Sequence, residues 1–129
     1  VDGYYEWYQP DGVAGQKPPP KQPFFISSPG GLALAGLYEF WKDPTAEWLL
    51  TFTILTTSAE GDDGRIHDRA PLLVSPTQVD QWLATEPWPD PLDALTPATV
   101  GTLSAWPVST AVNNVRNNGP ELIAPIPFA

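Results

Sequence analysis

The sequence has 129 residues, the length of one domain, and 42% of them are hydrophobic, which is enough to close a core. It contains no cysteine, so a disulfide framework, a thiolate nucleophile and a thiolate metal site are excluded within these residues. The formal net charge of −9 argues against non-specific binding to a polyanion. Because no apolar run approaches the roughly 20 residues that span a bilayer, and no signal-peptide pattern is present, we expect a cytoplasmic location and no membrane partner.

The first half of the chain predicts four strands, which we expect to form a meander. Residues 3–8 are aromatic and alternate like a half-buried strand. The Pro and Gly residues at 10–20 predict a loop, and Pro29-Gly30-Gly31 predicts a turn. Ala35 and Gly36 should let another backbone approach closely. The other three strands are predicted at residues 24–27, 32–41 and 48–59.

The second half predicts shorter elements. Residues 72–74 read as a short strand, and the capping box in Ser75-Pro76-Thr77-Gln78 predicts a helix that ends near Ala84. That helix would present Val79, Trp82 and Leu83 on one face. The remaining predictions are a helical turn at 92–95, a strand at 102–108, a turn at 117–120 and an edge segment at 123–128.

Many strands and few, short helices indicate an α+β fold. We expect mainly an antiparallel curved sheet or open barrel. No repeat or internal boundary is visible, so residues 1–129 are expected to form a single domain. The residues expected in its interior are Trp7, Phe25, Leu37, Ile54, Leu73, Trp82 and Val108.

Glu6 is the first candidate for chemistry because it lies among aromatic residues, in Asp2-Gly3-Tyr4-Tyr5-Glu6-Trp7. Partial desolvation there would favour the neutral acid and make the side chain a proton donor and acceptor near neutrality. The alternative is a solvated acid on the outer face of a strand. Trp7 beside it either packs in a core or stacks on a nucleic-acid base.

His67 is the only histidine in the chain, so it is the one side chain that exchanges protons near neutral pH without help. It is either an acid–base catalyst or a loop histidine bonded to Asp68 or a backbone carbonyl. Arg69 either binds a phosphate or carboxylate or pairs with Asp68. Thr56 either presents its hydroxyl to a ligand or forms a cross-strand threonine pair.

Metal binding is not expected from this composition. One histidine and no cysteine leave carboxylates as the main ligands, and their spacing matches no recognisable metal motif. No other cofactor is indicated. The asparagines near the end of the chain are most simply turn formers: Asn113, Asn114, Asn117 and Asn118.

Six short motifs follow one another in an order and at a spacing that resemble the SOS-response-associated peptidase (SRAP) family, which shields abasic sites in single-stranded DNA. The resemblance covers nearly the whole chain. The motifs are Asp2-Gly-Tyr-Tyr-Glu-Trp, Lys21-Gln-Pro-Phe-Phe-Ile, Ala35-Gly-Leu-Tyr, Phe52-Thr-Ile-Leu-Thr-Thr, Ile66-His-Asp-Arg-Ala-Pro, and Pro107-Val-Ser followed by Val112-Asn-Asn-Val.

The resemblance implies a covalent chemistry at abasic single-stranded DNA. In the family, the amine and thiol of an N-terminal cysteine condense with the ring-opened sugar aldehyde to give a thiazolidine. Glu6 matches the glutamate that moves protons during self-processing and at the linkage. His67 matches the histidine that assists ring opening and strand handling. Arg69 would contact a phosphate, and Thr56 would lie near the DNA backbone.

The family's Met-Cys-Gly-Arg start and its Asn-x-Arg segment, both upstream of the glutamate strand, are not in this sequence. The resemblance therefore implies roughly the C-terminal half of a domain, inactive alone, which holds the acid–base residues without the nucleophile. The absent N-terminal segment is then itself a partner, and it would carry DNA-facing arginines. We expect a monomer, associated with the nucleoid in a bacterium. Unpaired strand edges and exposed apolar surface should mark where the other half packs.

Three functions stay open at this point. The first is a protective covalent cross-link to abasic single-stranded DNA, with self-processing peptidase activity. The second is a non-catalytic module that only binds single-stranded DNA or a protein, favoured if the gene starts near the first residue. The third is a conventional hydrolase in which Glu6 and His67 activate water, which would turn over peptides or esters without DNA.

Overall fold

The computed structural model describes residues 1–45, 47–59, 63–86, 88–90, 93–96 and 102–128. The strands are β1 (Gly3–Tyr8), β2 (Gln22–Ser27), β3 (Ala33–Leu34), β4 (Gly36–Lys42), β5 (Trp48–Ile54), β6 (Thr56–Ser58), β7 (Arg69–Pro71), β8 (Leu73–Val74) and β9 (Ser104–Pro107). The helices are α1 (Asp63–Ile66) and α2 (Val79–Leu83), and the 3₁₀ turns are η1 (Asp93–Leu95), η2 (Thr110–Asn113) and η3 (Pro120–Ile123). The expected α+β class, with antiparallel sheets and few short helices, is confirmed.

The chain forms two compact units from alternating segments. The first unit comprises Val1–Gly31, Ser58–Ala70 and Gly101–Ala129. The second comprises Leu32–Thr57 and Pro71–Val100. Within the described ranges, no helix is long and apolar enough to cross a membrane.

The first unit is built on a three-stranded antiparallel sheet in which β2 lies between β1 and β9. Tyr5, Phe25 and Trp106 stand directly opposite one another across the three strands. Their rings form a row, with centroids 5.2 Å apart between Tyr5 and Phe25 and 5.3 Å apart between Phe25 and Trp106. Ile26 beside this row and Val108 after β9 are fully buried, so the core of this unit lies on the central strand.

The second unit is organised around a three-way junction of the backbone. Ala35 separates β3 from β4, Leu55 separates β5 from β6, and Leu72 separates β7 from β8. Leu55 donates its N–H to the carbonyl of Ala35 (3.0 Å), Ala35 donates to Leu72 (2.8 Å), and Leu72 donates to Leu55 (2.8 Å). This closed ring satisfies the main-chain groups of three residues that lie outside the regular ladders. Two strand pairs of this unit extend from it: β3 with β8, and β4 with β5.

A small apolar core surrounds this junction. Ala35, Leu72 and Val74 are buried, and Val79 and Trp82 of α2 pack against them. The small side chain of Ala35 and the glycine after it are what allow the backbones to meet, because a Cβ at Gly36 would lie only 3.0 Å from the carbonyl oxygen of Thr53. The predicted close approach at Ala35 and Gly36 is therefore confirmed.

The hairpin of β4 and β5 exposes apolar residues on both faces. Directly opposite residues of an antiparallel pair share a face. One face, here called the aromatic face, joins Tyr38 to Phe52, Phe40 to Leu50 and Lys42 to Trp48. Tyr38 is 73% exposed and Phe52 is 79% exposed. The expected exposed apolar surface is present, and this hairpin carries it.

Several sequence-based expectations about the elements are wrong. The first four predicted strands do not form a meander, because β2 pairs with β9 and β3 pairs with β8. The predicted strands at 32–41 and 48–59 each divide at a junction residue, Ala35 and Leu55, where the chain changes partner. Residues 69–71, for which no element was predicted, form β7.

The predicted capping box is also wrong. Ser75 Oγ lies 2.8 Å from Thr77 Oγ1, within a turn closed by the N–H of Gln78 donating to the carbonyl of Ser75 (2.9 Å). The helix begins after Gln78, which makes no side-chain cap bond. Leu83, expected to share the buried face of α2, is exposed.

The expected interior is only partly right in each unit. Phe25 and Val108 are buried as expected. Leu37 is 57% exposed and Ile54 is 39% exposed, because both belong to the hairpin whose faces are open. The other expected interior residues are half-buried: Trp7, Leu73 and Trp82.

Candidate functional site

Glu6 and Trp7 lie on β1, the outer strand beside β2. Glu6 is half-buried and stands opposite Phe24. Alternation along the strand separates its side chain from that of Trp7, which shares a face with Tyr5. In the described part of the chain, no hydrogen bond or ion pair reaches the Glu6 carboxylate, so both oxygens are available to a substrate.

His67 follows α1 directly and is held by its own loop. Its Nδ1 accepts the backbone N–H of Arg69 at 3.1 Å. An accepting Nδ1 assigns the ring proton of neutral imidazole to Nε2. No described residue bonds to Nε2, and the side chain is 39% exposed. Nε2 can therefore meet a ligand as a donor or as an acceptor, depending on the tautomer.

Two oxygens also lie close to Nδ1. Asp68 Oδ1 is 3.2 Å from Nδ1, and the Arg69 carbonyl oxygen is 3.3 Å away. Asp68 is 90% exposed, so solvent screens its attraction, which is worth about 0–1 kcal/mol in such pairs. The predicted loop contacts of His67 with Asp68 and a backbone carbonyl are both observed, and they leave Nε2 available.

The first unit brings the two candidate acid–base elements together. Helix α1 contacts β1, so the turn that ends just before His67 packs against the strand that carries Glu6. The segment after α1 is fixed by the Ala59 N–H, which donates to the Asp68 carbonyl at 3.0 Å. Glu6 on β1 and His67, the residue after α1, therefore belong to neighbouring segments of one unit.

Asn113, expected to be a turn former and part of the sixth SRAP-like motif, also reaches β1. Trp7 Nε1 donates to Asn113 Oδ1 at 2.7 Å, across 106 positions of sequence. Nothing in the local pattern near Asn113 indicates this bond, because it depends on η2 packing beside β2. Asn114, by contrast, accepts the Arg116 N–H at 3.1 Å, as expected of a turn former.

The remaining predicted DNA contacts are divided between the units. Arg69 is exposed in the first unit, at the start of β7. Thr56 is exposed in the second unit, at the start of β6. Among the residues described, no cluster of three His, Cys, Asp or Glu side chains could hold a metal ion.

Comparison with known proteins decides the family. The model of the SOS response associated peptidase (SRAP) family matches residues 1–115. The chain belongs to the SRAP family. The match includes both candidate acid–base residues of the SRAP motifs, Glu6 and His67, and the newly found Asn113.

Curated SRAP relatives carry one functional name. The chain is 37% identical to the abasic site processing protein YedK of Escherichia coli over 135 residues, which cover 98% of this chain and 55% of that protein. It is 37% identical to YoqW of Bacillus subtilis, over 95% of this chain and 54% of that protein. It is 33% identical to HMCES of Gallus gallus, over 98% of this chain and 42% of that protein. The chain thus spans about half the length of these abasic site processing proteins.

A solved structure supports the SRAP-like fold. A crystal structure of a protein from Bacteroides thetaiotaomicron superposes with a TM-score of 0.77 at 22% sequence identity. The superposition covers 97% of this chain and 54% of that chain. At this identity the likeness supports the fold alone.

Proposed function

We propose that this chain is the acid–base part of a protein that processes abasic sites in single-stranded DNA through a covalent cross-link. The observation that carries the proposal is that Glu6 lies on β1 and His67 directly follows α1, the helix that contacts β1, within the range that the SRAP family model matches. The relatives are all named abasic site processing proteins, and we therefore propose an abasic site as the lesion. The nucleophile, an N-terminal cysteine, lies outside these residues, which contain no cysteine.

The reaction divides into two proton-coupled steps. In the first, the closed abasic sugar opens: the C1 hydroxyl loses a proton, the ring oxygen gains one, and an aldehyde forms. In the second, the cysteine nitrogen and sulfur each bond to the aldehyde carbon, each gives up one proton, and the carbonyl oxygen leaves as water. Both steps need a donor and an acceptor beside one carbon atom.

This chain supplies groups suited to both roles. The protonated His67 ring can give its Nε2 proton to the sugar ring oxygen, which leaves a neutral ring whose remaining proton, on Nδ1, lies beside Asp68 Oδ1 and the Arg69 carbonyl oxygen. The Glu6 carboxylate can accept protons from the amine and thiol as they add. Arg69 pairs with a phosphate, Thr56 contacts the DNA backbone, and Trp7 stacks on a base. Self-processing at the cysteine uses Glu6 as its proton-transfer group.

The partner that completes the domain packs on the aromatic face. Tyr38, Phe40, Leu50 and Phe52 are exposed there although they are the residue types that fold into cores. In the relatives YoqW and YedK and in the solved structure, the matched part is only about half of the protein, so a segment of similar length lies outside it. In a family-length protein, that further chain covers the hairpin and brings the cysteine.

The test is a denaturing gel with abasic single-stranded DNA. A family-length chain that carries the cysteine should give a shifted species that survives denaturation, and replacing the cysteine should abolish it. Residues 1–129 alone should give none. Absence of the species from the family-length chain, or its persistence without the cysteine, would refute the proposal.

Substitutions in this chain test its own part. Glu6→Gln and His67→Gln in the family-length protein should each slow cross-link formation by about 10²- to 10⁴-fold, the usual contribution of acid–base catalysis. Glu121→Gln is the control, because Glu121 is an exposed acid of η3 in the same unit. If the unsubstituted protein and the three variants form the cross-link at equal rates, neither Glu6 nor His67 takes part in the chemistry.

Two alternatives predict other outcomes of the same experiments. A binding module would retain abasic DNA in a native gel but leave no species after denaturation. A conventional hydrolase using Glu6 and His67 would turn over peptides or esters without DNA. The cytoplasmic location and the monomeric state stay predictions.

A further inference from the structure

We infer that Asn113 is a positioning residue that holds the Trp7 indole ready to stack on DNA beside the lesion. This inference rests on the proposed DNA-binding function and gives a role to Asn113, which the sequence places in a turn and in the sixth SRAP-like motif without assigning it one. The observation is the hydrogen bond from Trp7 Nε1 to Asn113 Oδ1, 2.7 Å long.

The acceptor is fixed by its own element. Asn113 ends η2, whose first turn is capped by Ser109 Oγ accepting the Ala111 N–H at 3.2 Å. Asn117 Nδ2 donates to the carbonyl of Ala111 at 2.8 Å, which ties the following turn back onto η2. The Asn113 amide therefore projects from a well-bonded turn.

The turn itself is anchored to the central strand of the sheet. Val108, just before η2, is fully buried and donates its N–H to the carbonyl of Pro23 at 3.0 Å. Gln22 Nε2 donates to the carbonyl of Val108 at 2.8 Å. Both bonds link the residue before η2's cap to β2. The position of Asn113 is therefore fixed relative to the core of the first unit.

The indole is held from a second side as well. The Trp7 ring lies 6.4 Å from that of Tyr5, at 48° to it. Tyr5 in turn packs on Phe25, with centroids 5.2 Å apart. Ring packing together with the Nε1 bond restricts both side-chain torsions of Trp7, while part of the half-buried ring stays open to solvent.

A fixed, partly open indole suits an unstacked nucleotide. Base–aromatic stacking is tolerant of sequence, and an abasic site leaves its neighbouring bases without one stacking partner. Ordering a flexible side chain on binding costs affinity, and this cost is avoided when the ring is held beforehand. Asn113 thus acts through Trp7, without touching DNA itself.

The first measurement is the indole N–H resonance of Trp7 in a ¹H–¹⁵N spectrum of the protein, assigned by its disappearance in Trp7→Phe. Asn113→Leu should shift this resonance and speed its exchange with water. Asn114→Leu is the matched control, since Asn114 bonds to the Arg116 N–H instead. An unmoved Trp7 resonance in Asn113→Leu would overturn the inference.

The second measurement is a double-mutant cycle of binding to abasic single-stranded DNA. Asn113→Leu should weaken binding by about two- to tenfold, the effect of losing one pre-ordered side chain. In a Trp7→Phe background, which lacks the indole donor, the same substitution should have no further effect. Equal losses from Asn113→Leu in both backgrounds would show that Asn113 does not act through Trp7, and would overturn the inference.

The outcomes separate this inference from the proposed function. Weaker binding in Trp7→Phe with unchanged binding in Asn113→Leu refutes only the positioning role. If the unsubstituted protein does not bind abasic DNA, the proposed DNA function is refuted, and so is the role of the Trp7–Asn113 bond in DNA binding. A Trp7 resonance that Asn113→Leu still shifts would then show only that the bond itself exists.

Discussion

At the residue scale, His67 shows how a side chain can be held by its own loop. The Arg69 N–H lies 3.1 Å from Nδ1, where it donates to the tautomer with an unprotonated Nδ1. Asp68 Oδ1 and the Arg69 carbonyl oxygen, 3.2 Å and 3.3 Å from the same nitrogen, can accept from the other tautomer. The candidate catalyst is therefore oriented by the three residues His67-Asp68-Arg69 themselves.

Gly3 provides a stability prediction at the same scale. A Cβ there would overlap the carbonyl oxygen of Ile26 and lie 2.5 Å from Cζ of Phe25. Because the first of these atoms belongs to the backbone of the central strand, Gly3→Ala should lower the free energy of unfolding by about 1–3 kcal/mol, measured by urea denaturation.

Gly12→Ala is the matched control for that substitution. Its Cβ would meet Cδ of Pro19 at 3.6 Å, an ordinary contact. The free energy of unfolding should stay the same or rise by about 0.4–1 kcal/mol, because the unfolded chain loses freedom. Equal effects at the two glycines would contradict the close approach at Gly3.

At the element scale, the β4–β5 hairpin ends in a turn closed by side-chain and backbone bonds. Asp43 donates its N–H to the Glu47 carbonyl at 2.9 Å. The Asp43 carboxylate accepts the N–H of Thr45. The side-chain hydrogen bond with Thr45, followed by this backbone bond, lowers the pKa of Asp43 below its ordinary value of 3.8.

The lowered pKa gives the turn a pH dependence. The contribution of Asp43 is fully present above the unfolded value of 3.8 and is lost as the pH falls through the lower folded value. Thr45→Val removes the largest cause, so the pKa of Asp43 should rise toward 3.8 in an NMR titration of its carboxyl carbon. An unchanged titration curve in Thr45→Val would contradict this account of the turn.

The α2 helix illustrates how tertiary contacts override a local signal. Ser75-Pro76-Thr77-Gln78 has the letters of a capping box, yet the Ser75 hydroxyl bonds to Thr77. Helix α2 begins where Val79 and Trp82 reach the core around Ala35. Burial of those two side chains, more than the cap, determines where the helix lies.

At the scale of the whole molecule, the aromatic face departs from an ordinary globular surface, because large apolar side chains lie exposed beside one another on it. Phe52 is so exposed that Phe52→Ser in residues 1–129 should change the free energy of unfolding by no more than about 0.5 kcal/mol. Phe25→Ser, on the buried central strand, should cost about 3–5 kcal/mol. Urea denaturation of the two variants measures the contrast.

The same pair of substitutions tests whether further chain covers the hairpin. In a family-length protein, Phe52→Ser should become destabilising by about 2–5 kcal/mol, since the side chain would then be buried. An effect as small as in the shorter chain would mean that the aromatic face stays open. A large loss of stability from Phe52→Ser already in residues 1–129 would mean that copies of this shorter chain associate and cover each other's aromatic face.

The sequence by itself determined the α+β class, β1, the central strand β2 and the candidate pair Glu6 and His67. These depend on alternation, on turn residues and on motifs, which are local properties of the chain. The sequence also indicated exposed apolar surface, because it resembles only about half of an SRAP domain.

Only the tertiary structure decided which strands pair, where the long strands divide and what holds Trp7. The ring of bonds among Ala35, Leu55 and Leu72 and the bond from Trp7 to Asn113 join residues far apart in sequence. Identical local patterns are compatible with several pairings, because the β period fixes only which side chains share a face. The partner of each strand follows from packing, so Asn113 becomes a candidate site residue only once η2 lies beside β2.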